Sequence, residues 1–272
     1  MTSTTPLHLH WPDCLNARDL GGLPLADGGT VRERALVRAD SLTFLTPEGV
    51  AAVRGYGVAR IIDLRRPFET VRYPHAFADD PIYHPSPVQE PEDWEEGPWA
   101  DLYCGMLARR PTLFARAVGA IADAPAGAVV VHCAAGKDRT GLVVAMALTL
   151  AGVPEEAVVA DYVLTNERLA PRYTAERAAA ALPDDAPAAP AGPVSAGEGP
   201  GAATGTSSDI DPATGEPVRP PRHPARSVPP GEEVMAETLA YLRDRYGSVH
   251  GYLTAGGLTQ QQHDALVTRL TV

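Results

Sequence analysis

A cysteine and an arginine separated by five residues are the first candidates for chemistry in this 272-residue chain. Residues 132–141 read HCAAGKDRTG, with Cys133 near the start and Arg139 near the end. Backbone N–H groups of a tight loop at a helix N-terminus favour an anion, and the same field favours a thiolate over a thiol. The planar guanidinium of Arg139 can bind two oxygens of one phosphoryl group. The spacing therefore predicts a nucleophile and an anion clamp on opposite sides of one phosphate.

This segment has two other possible interpretations, a nucleotide-binding loop and a structural cysteine. A loop that binds nucleoside triphosphates needs a glycine five positions before the Gly-Lys pair and Ser or Thr directly after it. Val131 and Asp138 occupy those positions, which excludes that motif. Alternatively, Cys133 is a small buried hydrophobe at a strand end, because free cysteine is often buried and inert. The elements on either side of the loop favour the functional interpretation.

The elements that must position this loop are a strand before it and a helix after it. Ala128–Cys133 reads AVVVHC, and a strand that is apolar on both faces belongs in the middle of a parallel sheet. Thr140–Ala151 is apolar all round, which predicts a buried helix. Strands and helices alternate along the chain, so the predicted class is an α/β layer fold with a parallel sheet. The other predicted elements are short strands within 16–40, a helix from Thr46 to about Arg54, strands Val58–Leu64 and Ile82–Val88, helices Trp99–Ala108, Thr112–Ala122 and Pro154–Asn166, and helical segments after Glu232.

Residues 183–230 differ from the rest of the chain. These 48 residues contain 12 Pro and 6 Gly and few large apolar side chains. Such a segment cannot bury enough surface to offset its chain entropy, so we predict a disordered or loose insert. Helical patterns resume after it, and the insert is therefore a candidate part of a lid within one domain.

The composition excludes several classes of protein. The net charge is −11, which argues against general nucleic-acid binding, since that needs a basic face. Lys137 is the single lysine among 23 basic residues, and it lies in the loop described above. The sequence contains no run of eighteen consecutive apolar residues, so we predict no membrane-spanning helix.

The three cysteines and the N-terminal segment bear on the compartment. The number of cysteines is odd and no CxxC motif occurs, which argues against a disulfide framework and against a cysteine-rich zinc site. The first residues, MTSTTPLHLHWPD, lack the basic and apolar regions of a secretory signal. We therefore predict a cytoplasmic location, while export without such a signal stays open.

The loop resembles the signature of the cysteine-dependent protein tyrosine phosphatases. It is most similar to the bacterial tyrosine and lipid phosphatases of the mycobacterial protein tyrosine phosphatase B type. Segments outside the loop also match that family's pattern, so the resemblance covers most of the chain except the insert. The matching segments are 16–22 (NARDLGG), 38–42 (RADSL), 62–65 (IDLR), Asp161-Tyr162, Tyr246-Gly247-Ser248 and Tyr252-Leu253.

The resemblance implies a single phosphatase domain over residues 1–272, with a three-layer fold and a central, mostly parallel sheet. It implies phosphomonoester hydrolysis in which Cys133 attacks phosphorus, forms a phosphocysteine and is released by water, without metal or cofactor. Residues 134–139 (Ala134, Ala135, Gly136, Lys137, Asp138 and Arg139) would bind the substrate phosphate. Thr140 would hydrogen-bond the sulfur as it leaves, and His132 would order the loop. The implied partners are a phosphotyrosine protein or a phosphoinositide, with no nucleic acid.

The general acid that protonates the leaving oxygen has four candidates. Asp138 lies in the loop, and related phosphatases with an aspartate there are thought to use it, although it could equally be an acceptor that braces the loop. Asp13 belongs to the tripeptide WPD, which carries the acid in many tyrosine phosphatases. It lies 120 residues before Cys133, however, and Pro-Asp is a common sequence in turns. Glu90 and Asp93 follow the strand after which other family members place an aspartate. We favour Asp138.

These residues are compatible with more than one function. The leading hypothesis is a phosphotyrosine phosphatase, with phosphoserine, phosphothreonine and phosphoinositides as further candidate substrates. Lys137 adds a second cation that would help a substrate bearing more than one phosphate. A sulfur-transfer or arsenate-type enzyme is disfavoured by the Gly-Lys-Asp-Arg-Thr segment. A non-catalytic phosphate-binding module would be expected to lose Cys133 or Arg139, and both are present.

Overall fold

The computed structural model describes residues 6–90, 93, 97–174 and 229–272. The chain divides into two compact units, Met1–Pro171 with Pro229–Val272, and Arg172–Val228. Every element named below belongs to the first unit. The predicted insert at 183–230 lies outside the described residues except for Pro229 and Pro230, so its order and its role as a lid stay predictions.

One mixed sheet of six strands forms the centre of the first unit. The strands run in the order β1-β2-β3-β6-β4-β5, with parallel pairing from β3 through β6 and β4 to β5 and antiparallel pairing of β1, β2 and β3. The sheet is therefore mostly parallel, as the sequence predicted. The strands are β1 (Leu7–His8), β2 (Arg18–Asp19), β3 (Leu36–Ala39), β4 (Val58–Asp63), β5 (Tyr83–Pro85) and β6 (Ala128–His132).

Helices flank the sheet. Helix α1 begins as predicted, because the hydroxyl of Thr46 accepts a hydrogen bond from Gly49 N–H and Pro47 fills the first helical position. The helices named below are α1 (Pro47–Gly55), α2 (Pro67–Arg72), α3 (Trp99–Arg109), α4 (Pro111–Ala122), α5 (Asp138–Leu150), α6 (Glu155–Arg168), α7 (Glu232–Tyr246), α8 (Val249–Ala255) and α9 (Gln260–Leu270). No helix of the described residues is long and apolar enough to cross a membrane.

Strand β6 occupies the middle of the sheet and carries apolar side chains on both faces. Val129 and Val131 pack in the larger core cluster, whereas Ala128 and Val130 pack in a second cluster on the opposite face. This burial confirms the prediction made from the apolar run. Helix α5 is buried along most of its length in the larger cluster, also as predicted. The loop between β6 and α5 is thus held by two elements that cannot move without exposing core.

The register of the parallel strands brings three strand ends together. Ala39 of β3 and Asp63 of β4 both lie opposite His132 of β6. The residues that follow, Asp40, Leu64 and Cys133, therefore emerge at one edge of the sheet. In parallel α/β sheets ligands bind at the carboxyl ends of the strands, and this edge is where the loop begins.

The structure differs from the sequence predictions in three local features. Strand β5 has only three residues instead of the predicted seven, because Pro85 and Pro87 cannot donate to a sheet ladder. Helix α5 begins at Asp138 rather than Thr140, with the carboxylate at the positive end of the helix dipole. Strand β1 and helix α2 were not predicted, since elements of two and six residues are too short for periodicity to reveal.

Candidate active site

Cys133 lies directly after β6 and is almost fully buried, with 2% of its surface exposed. Residues 134–137 then turn sharply into helix α5. The residues predicted to form the site run without a break from the last residue of β6, His132, through this connection to the first turn of α5, which ends the series at Thr140. The thiol therefore sits at the edge of the sheet where the strand ends meet.

The carbonyl groups of the loop are held from outside it. Ser41 N–H donates to the carbonyl of residue 134 at 3.2 Å. The side-chain amide of Asn16 donates to the carbonyls of residues 135 and 136 at 3.3 and 3.0 Å, and Arg38 Nη2 donates to the carbonyl of residue 136 at 2.7 Å. In a trans peptide the C=O and the following N–H point in opposite directions. The N–H groups of residues 135–137 are therefore turned to the other side of the loop, which is the arrangement that binds an anion.

Gly136 is the one loop position that requires glycine. Its φ of 66° lies in the left-handed region. A Cβ built on it would lie 2.2 Å from the carbonyl oxygen of Ala39, in β3. The loop backbone therefore approaches the neighbouring strand as closely as a residue without a side chain allows.

A buried network beneath the loop joins segments that are distant in the sequence. Asp161 of α6 accepts a hydrogen bond from Arg18 Nε at 2.8 Å and from Arg38 Nη1 at 2.6 Å. Arg18 Nη1 also donates to the Asn16 side-chain oxygen at 2.5 Å, which leaves the Asn16 amide N–H₂ for the loop. Burial opposes ionisation of Asp161, but Arg18 and Arg38 outweigh it and hold its pKa below the usual value. Asn16, Arg18, Arg38 and Asp161 all belong to the segments on which the family resemblance rests.

Arg139 is fixed by a carboxylate from helix α2. Its Nη1 and Nη2 donate to Glu69 Oε2 and Oε1 at 2.5 and 2.9 Å. Burial opposes the charge on Arg139, but Glu69 and then Cys133 outweigh it and raise the pKa of the guanidinium above its ordinary value. A guanidinium has five N–H donors, so three remain for a ligand after this pair is formed. Arg139 is thus both charged and oriented before any anion arrives.

Lys137 is buried at the point where the loop enters α5. Only 4% of its surface is exposed. Burial lowers the pKa of Lys137 to about 8, an effect that the neighbouring Asp138 carboxylate partly opposes. Burying an ammonium group is unfavourable, so its retention here suits a site that binds anions.

Asp138 is half-buried and accepts a hydrogen bond from the hydroxyl of Tyr103, in α3. The Tyr103 hydroxyl lies 2.8 Å from that of Tyr162. Since Tyr103 uses its proton for the carboxylate, Tyr162 donates to Tyr103. Burial first, and Asp138 second, raise the pKa of Tyr103 well above its usual value, so it stays a donor. The carboxyl group of Asp138 is therefore held in one orientation.

The sequence pattern of the tyrosine phosphatase family matches residues 9–272. This chain belongs to the tyrosine phosphatase family. A tyrosine-protein phosphatase of Nostoc commune is 29% identical over 248 residues, which are 87% of this chain and 74% of that protein. The triple specificity protein phosphatase PtpB of Mycobacterium tuberculosis is 51% identical over 39 residues, 14% of either chain.

Thr140 places its hydroxyl in the core of the phosphatase. The residue is fully buried, and its Oγ1 has no hydrogen-bond partner within the described part of the chain. An unpaired buried hydroxyl costs about 1–3 kcal/mol, so a partner that forms only during the reaction would account for it.

The other candidate acids of the phosphatase have different surroundings. Asp13 lies on an exposed tight turn with φ 61°, closed by Cys14 N–H donating to Trp11 C=O at 3.0 Å. Asp93 is buried between Arg109 and Arg110, with Arg110 Nε 2.7 Å from its carboxylate. Burial is outweighed by Arg110, so the pKa of Asp93 lies below its usual value, which disfavours the protonated form.

Glu90 is half-buried and contacts Asp93 through its backbone N–H, which donates to that carboxylate at 2.8 Å. Nothing in this contact orients the Glu90 carboxyl group. Of the four candidates, Asp138 alone lies in the loop and has its carboxyl group oriented by a buried donor.

One cluster in the described residues has the spacing of a metal site. The side-chain donor atoms of Asp63, His75 and His132 lie within 4.8 Å of one another, and all three residues are buried. The Asp63 carboxylate is already occupied, because Arg65 donates to both oxygens at 2.8–3.0 Å and Tyr83 donates to Oδ2 at 3.0 Å.

Three residues that contact the site carry no signal in the sequence. Glu69 lies in a short helix without periodicity, Tyr103 lies in a predicted helix that no motif marks, and His75 belongs to no motif. Nothing in the local sequence distinguishes Glu69 from the other acidic residues as a partner of Arg139. Their contacts with the loop depend on the fold rather than on local sequence.

Proposed function

We propose that this phosphatase hydrolyses phosphotyrosine in proteins through a phosphocysteine formed at Cys133. The observation that carries the proposal is the loop itself. Its carbonyl groups are bound from outside, its N–H groups face the other way, and Cys133 and the pre-oriented Arg139 stand at its two ends. Preorganised donors of this kind stabilise the charge that develops on the equatorial oxygens of a transferring phosphoryl group.

The proposed first step is attack of the Cys133 thiolate on phosphorus. The S–P bond forms while the P–O bond to the leaving group breaks, and Asp138 donates its proton to the leaving oxygen. In the second step Asp138 takes a proton from water, the water oxygen attacks phosphorus, and inorganic phosphate leaves with the thiolate restored. The unpaired hydroxyl of Thr140 would donate to the sulfur at that moment.

The decisive experiment measures hydrolysis of 4-nitrophenyl phosphate by the wild type and by Cys133→Ser. We expect the wild type to be active and the variant to lose activity, because a serine hydroxyl is a far weaker nucleophile than a thiolate. Cys104→Ser is the matched control, since Cys104 is half-buried in α3 and outside the loop. Full activity of Cys133→Ser would refute the mechanism, and an inactive wild type would favour a phosphate-binding module.

The role of Asp138 is tested separately with Asp138→Asn. A general acid matters most when the leaving group is basic. We expect kcat/KM, which reports the first step, to fall strongly for phenyl phosphate and little for 4-nitrophenyl phosphate, which has the better leaving group. If neither substrate is affected, Asp138 only braces the loop and another acid has to be sought.

The substrate range is proposed to extend to phosphoserine, phosphothreonine and phosphoinositides. Lys137 supports this, because a second buried cation favours substrates with more than one phosphate. The short match to a relative named a triple specificity protein phosphatase also supports it. The test compares kcat/KM of the wild type and Lys137→Ala on a phosphotyrosine peptide and on a phosphoinositide. A larger loss on the lipid supports the wider range, and equal losses remove the argument.

A further inference from the structure

A continuous string of hydrogen bonds runs through buried side chains to the carbonyl group of Cys133. Phe77 N–H donates to His75 Nδ1 at 3.0 Å. His75 Nε2 lies 3.1 Å from His132 Nε2, and His132 Nδ1 lies 3.1 Å from the Cys133 carbonyl oxygen. His75 is 5% exposed and His132 is fully buried.

The two ends of this string determine where its protons lie. Phe77 N–H can only donate, so His75 Nδ1 must be an acceptor and the proton of neutral His75 is on Nε2. The carbonyl of Cys133 can only accept, so His132 Nδ1 carries a proton and its Nε2 is bare. The contact between the rings is therefore His75 Nε2–H donating to His132 Nε2. Both ends require the same direction independently.

The surroundings of the two rings keep them neutral. Burial, followed by His132, lowers the pKa of His75 to about 3, and burial also lowers the pKa of His132. A proton added to either ring would place two N–H groups face to face. The Asp63 carboxylate lies 3.8 Å from His132 Nε2 but accepts from Arg65 and Tyr83 instead.

We propose that His75 is a positioning residue for the nucleophile, because it holds His132 in the tautomer that binds the carbonyl of Cys133. The inference rests on the proposed role of Cys133. Since the C=O of Cys133 and the N–H of Ala134 lie antiparallel in one peptide plane, fixing the carbonyl turns the Ala134 N–H toward the anion side. His132 thereby holds the carbonyl group of residue 133, just as Ser41, Asn16 and Arg38 hold the carbonyl groups of residues 134–136.

A metal ion between the two rings would need a different arrangement. It would take the Nε2 lone pair of both histidines, so neutral His75 would have to carry its proton on Nδ1. That proton would face Phe77 N–H at 3.0 Å, which leaves two donors without an acceptor. The hydrogen-bonded string is therefore the arrangement that the backbone of Phe77 favours.

The first test observes the tautomers directly in the wild-type chain with histidine labelled with nitrogen-15. Long-range proton–nitrogen NMR distinguishes a protonated Nδ1 from a protonated Nε2. We expect His75 to carry its proton on Nε2 and His132 on Nδ1. The opposite tautomer of His132, or a shift of both rings on adding zinc at stoichiometric amounts, would overturn the proposal. This readout does not depend on activity, so it stands even if Cys133→Ser shows the proposed mechanism to be wrong.

The second test compares His75→Leu with His75→Gln in the full chain. Leucine removes the donor, whereas glutamine keeps an N–H near the position of Nε2. We expect His75→Leu to weaken inhibition by orthovanadate about tenfold, the scale of one hydrogen bond to an anion. The rate of alkylation of Cys133 by iodoacetamide at neutral pH should fall as well. His75→Gln should restore most of both losses.

Tyr83→Phe is the matched control for these variants. It removes a hydroxyl from the same buried cluster and leaves the string intact. We expect a lower melting temperature but unchanged orthovanadate inhibition and alkylation. A folded His75→Leu with wild-type values for both would overturn the proposal. Should His75→Leu fail to fold, His75→Gln and the tautomers of the wild type decide.

Discussion

Glu69 and Arg139, which are 70 residues apart, form a pair in which each carboxylate oxygen accepts from a separate Nη atom, at 2.5 and 2.9 Å. The pairing has a physical consequence for both partners. Burial opposes ionisation of Glu69, but Arg139 outweighs it and keeps the pKa of the carboxyl group below its usual value. Glu69 also caps its own helix by accepting from Arg66 N–H at 2.8 Å. Helix α2 is therefore attached to the anion clamp through one side chain.

Replacing Glu69 by glutamine should weaken the clamp without unfolding α2. Glutamine keeps one carbonyl oxygen for the cap but loses the charge and one of the two acceptors for Arg139. We expect kcat/KM on 4-nitrophenyl phosphate to fall about tenfold, since a misplaced clamp binds the transition state less well. Thr70→Ala, one position along the same helix, should leave kcat/KM unchanged. Wild-type kcat/KM in a stable Glu69→Gln variant would contradict this role.

Tyr103→Phe should affect leaving groups unequally. The hydroxyl of Tyr103 holds the carboxyl group of Asp138, so its loss leaves the proposed acid free to rotate. We expect kcat/KM to fall about tenfold for phenyl phosphate and much less for 4-nitrophenyl phosphate, because kcat/KM reports the step that protonates the leaving oxygen. Tyr252→Phe is the control, because that hydroxyl donates to Leu107 C=O at the end of α3 and lies outside the loop. Equal losses on both substrates would mean that Tyr103 acts only on stability.

Asp161→Asn should be strongly destabilising. It removes the charge between two buried guanidinium groups, and breaking a buried pair of this kind costs about 3–5 kcal/mol. Asp80→Asn is the matched surface control, since its partner Arg54 is 58% exposed and such pairs contribute about 1 kcal/mol or less. Urea unfolding of both variants measures the free energies. Similar losses in free energy of unfolding for the two variants would show that the buried ion pairs of Asp161 stabilise the protein no more than the exposed pair does.

Asp161→Asn should also make the free energy of unfolding depend less on pH in the acid range. Because the pKa of Asp161 is lower in the folded state than the ordinary 3.8, its contribution is present above pH 3.8 and is lost as pH falls toward the folded value. The difference in free energy of unfolding between wild type and Asp161→Asn should therefore shrink below about pH 4. Unfolding curves collected over that range test this. A difference that stays constant would contradict the assigned pKa direction.

Lys137→Met should stabilise the protein while weakening anion binding. Burial lowers the pKa of Lys137 from 10.5 to about 8 in the folded state, so the group is still mostly charged at neutral pH and keeping that charge buried costs the folded state free energy. We expect a gain of about 1–3 kcal/mol in free energy of unfolding and weaker inhibition by inorganic phosphate. Wild-type stability should rise from about pH 8 to 10.5, where the unfolded chain binds the extra proton, and the variant should lack that rise. A lower free energy of unfolding in Lys137→Met than in the wild type would contradict the predicted stabilisation.

The sequence by itself determined the loop and the two elements that carry it. The apolar run before Cys133 and the apolar helix after Asp138 are local patterns, and only a buried strand and a buried helix satisfy them. The resemblance also pointed to the segments that contain Asn16, Arg18 and Asp161. It did not reveal that their side chains meet beneath the loop, because the register of β2, β3 and β6 decides which carbonyl each donor reaches.

Only the tertiary structure decided which groups orient the reacting ones. Glu69 and His75 come from a short helix and from the loop after it, where no periodicity marks a side chain as buried or exposed. Hydrogen bonds depend on distances of a few tenths of an ångström, and residues far apart in sequence acquire those distances only when the sheet and helices pack. The chemistry of the loop follows from the order of its residues, whereas its orientation follows from the fold.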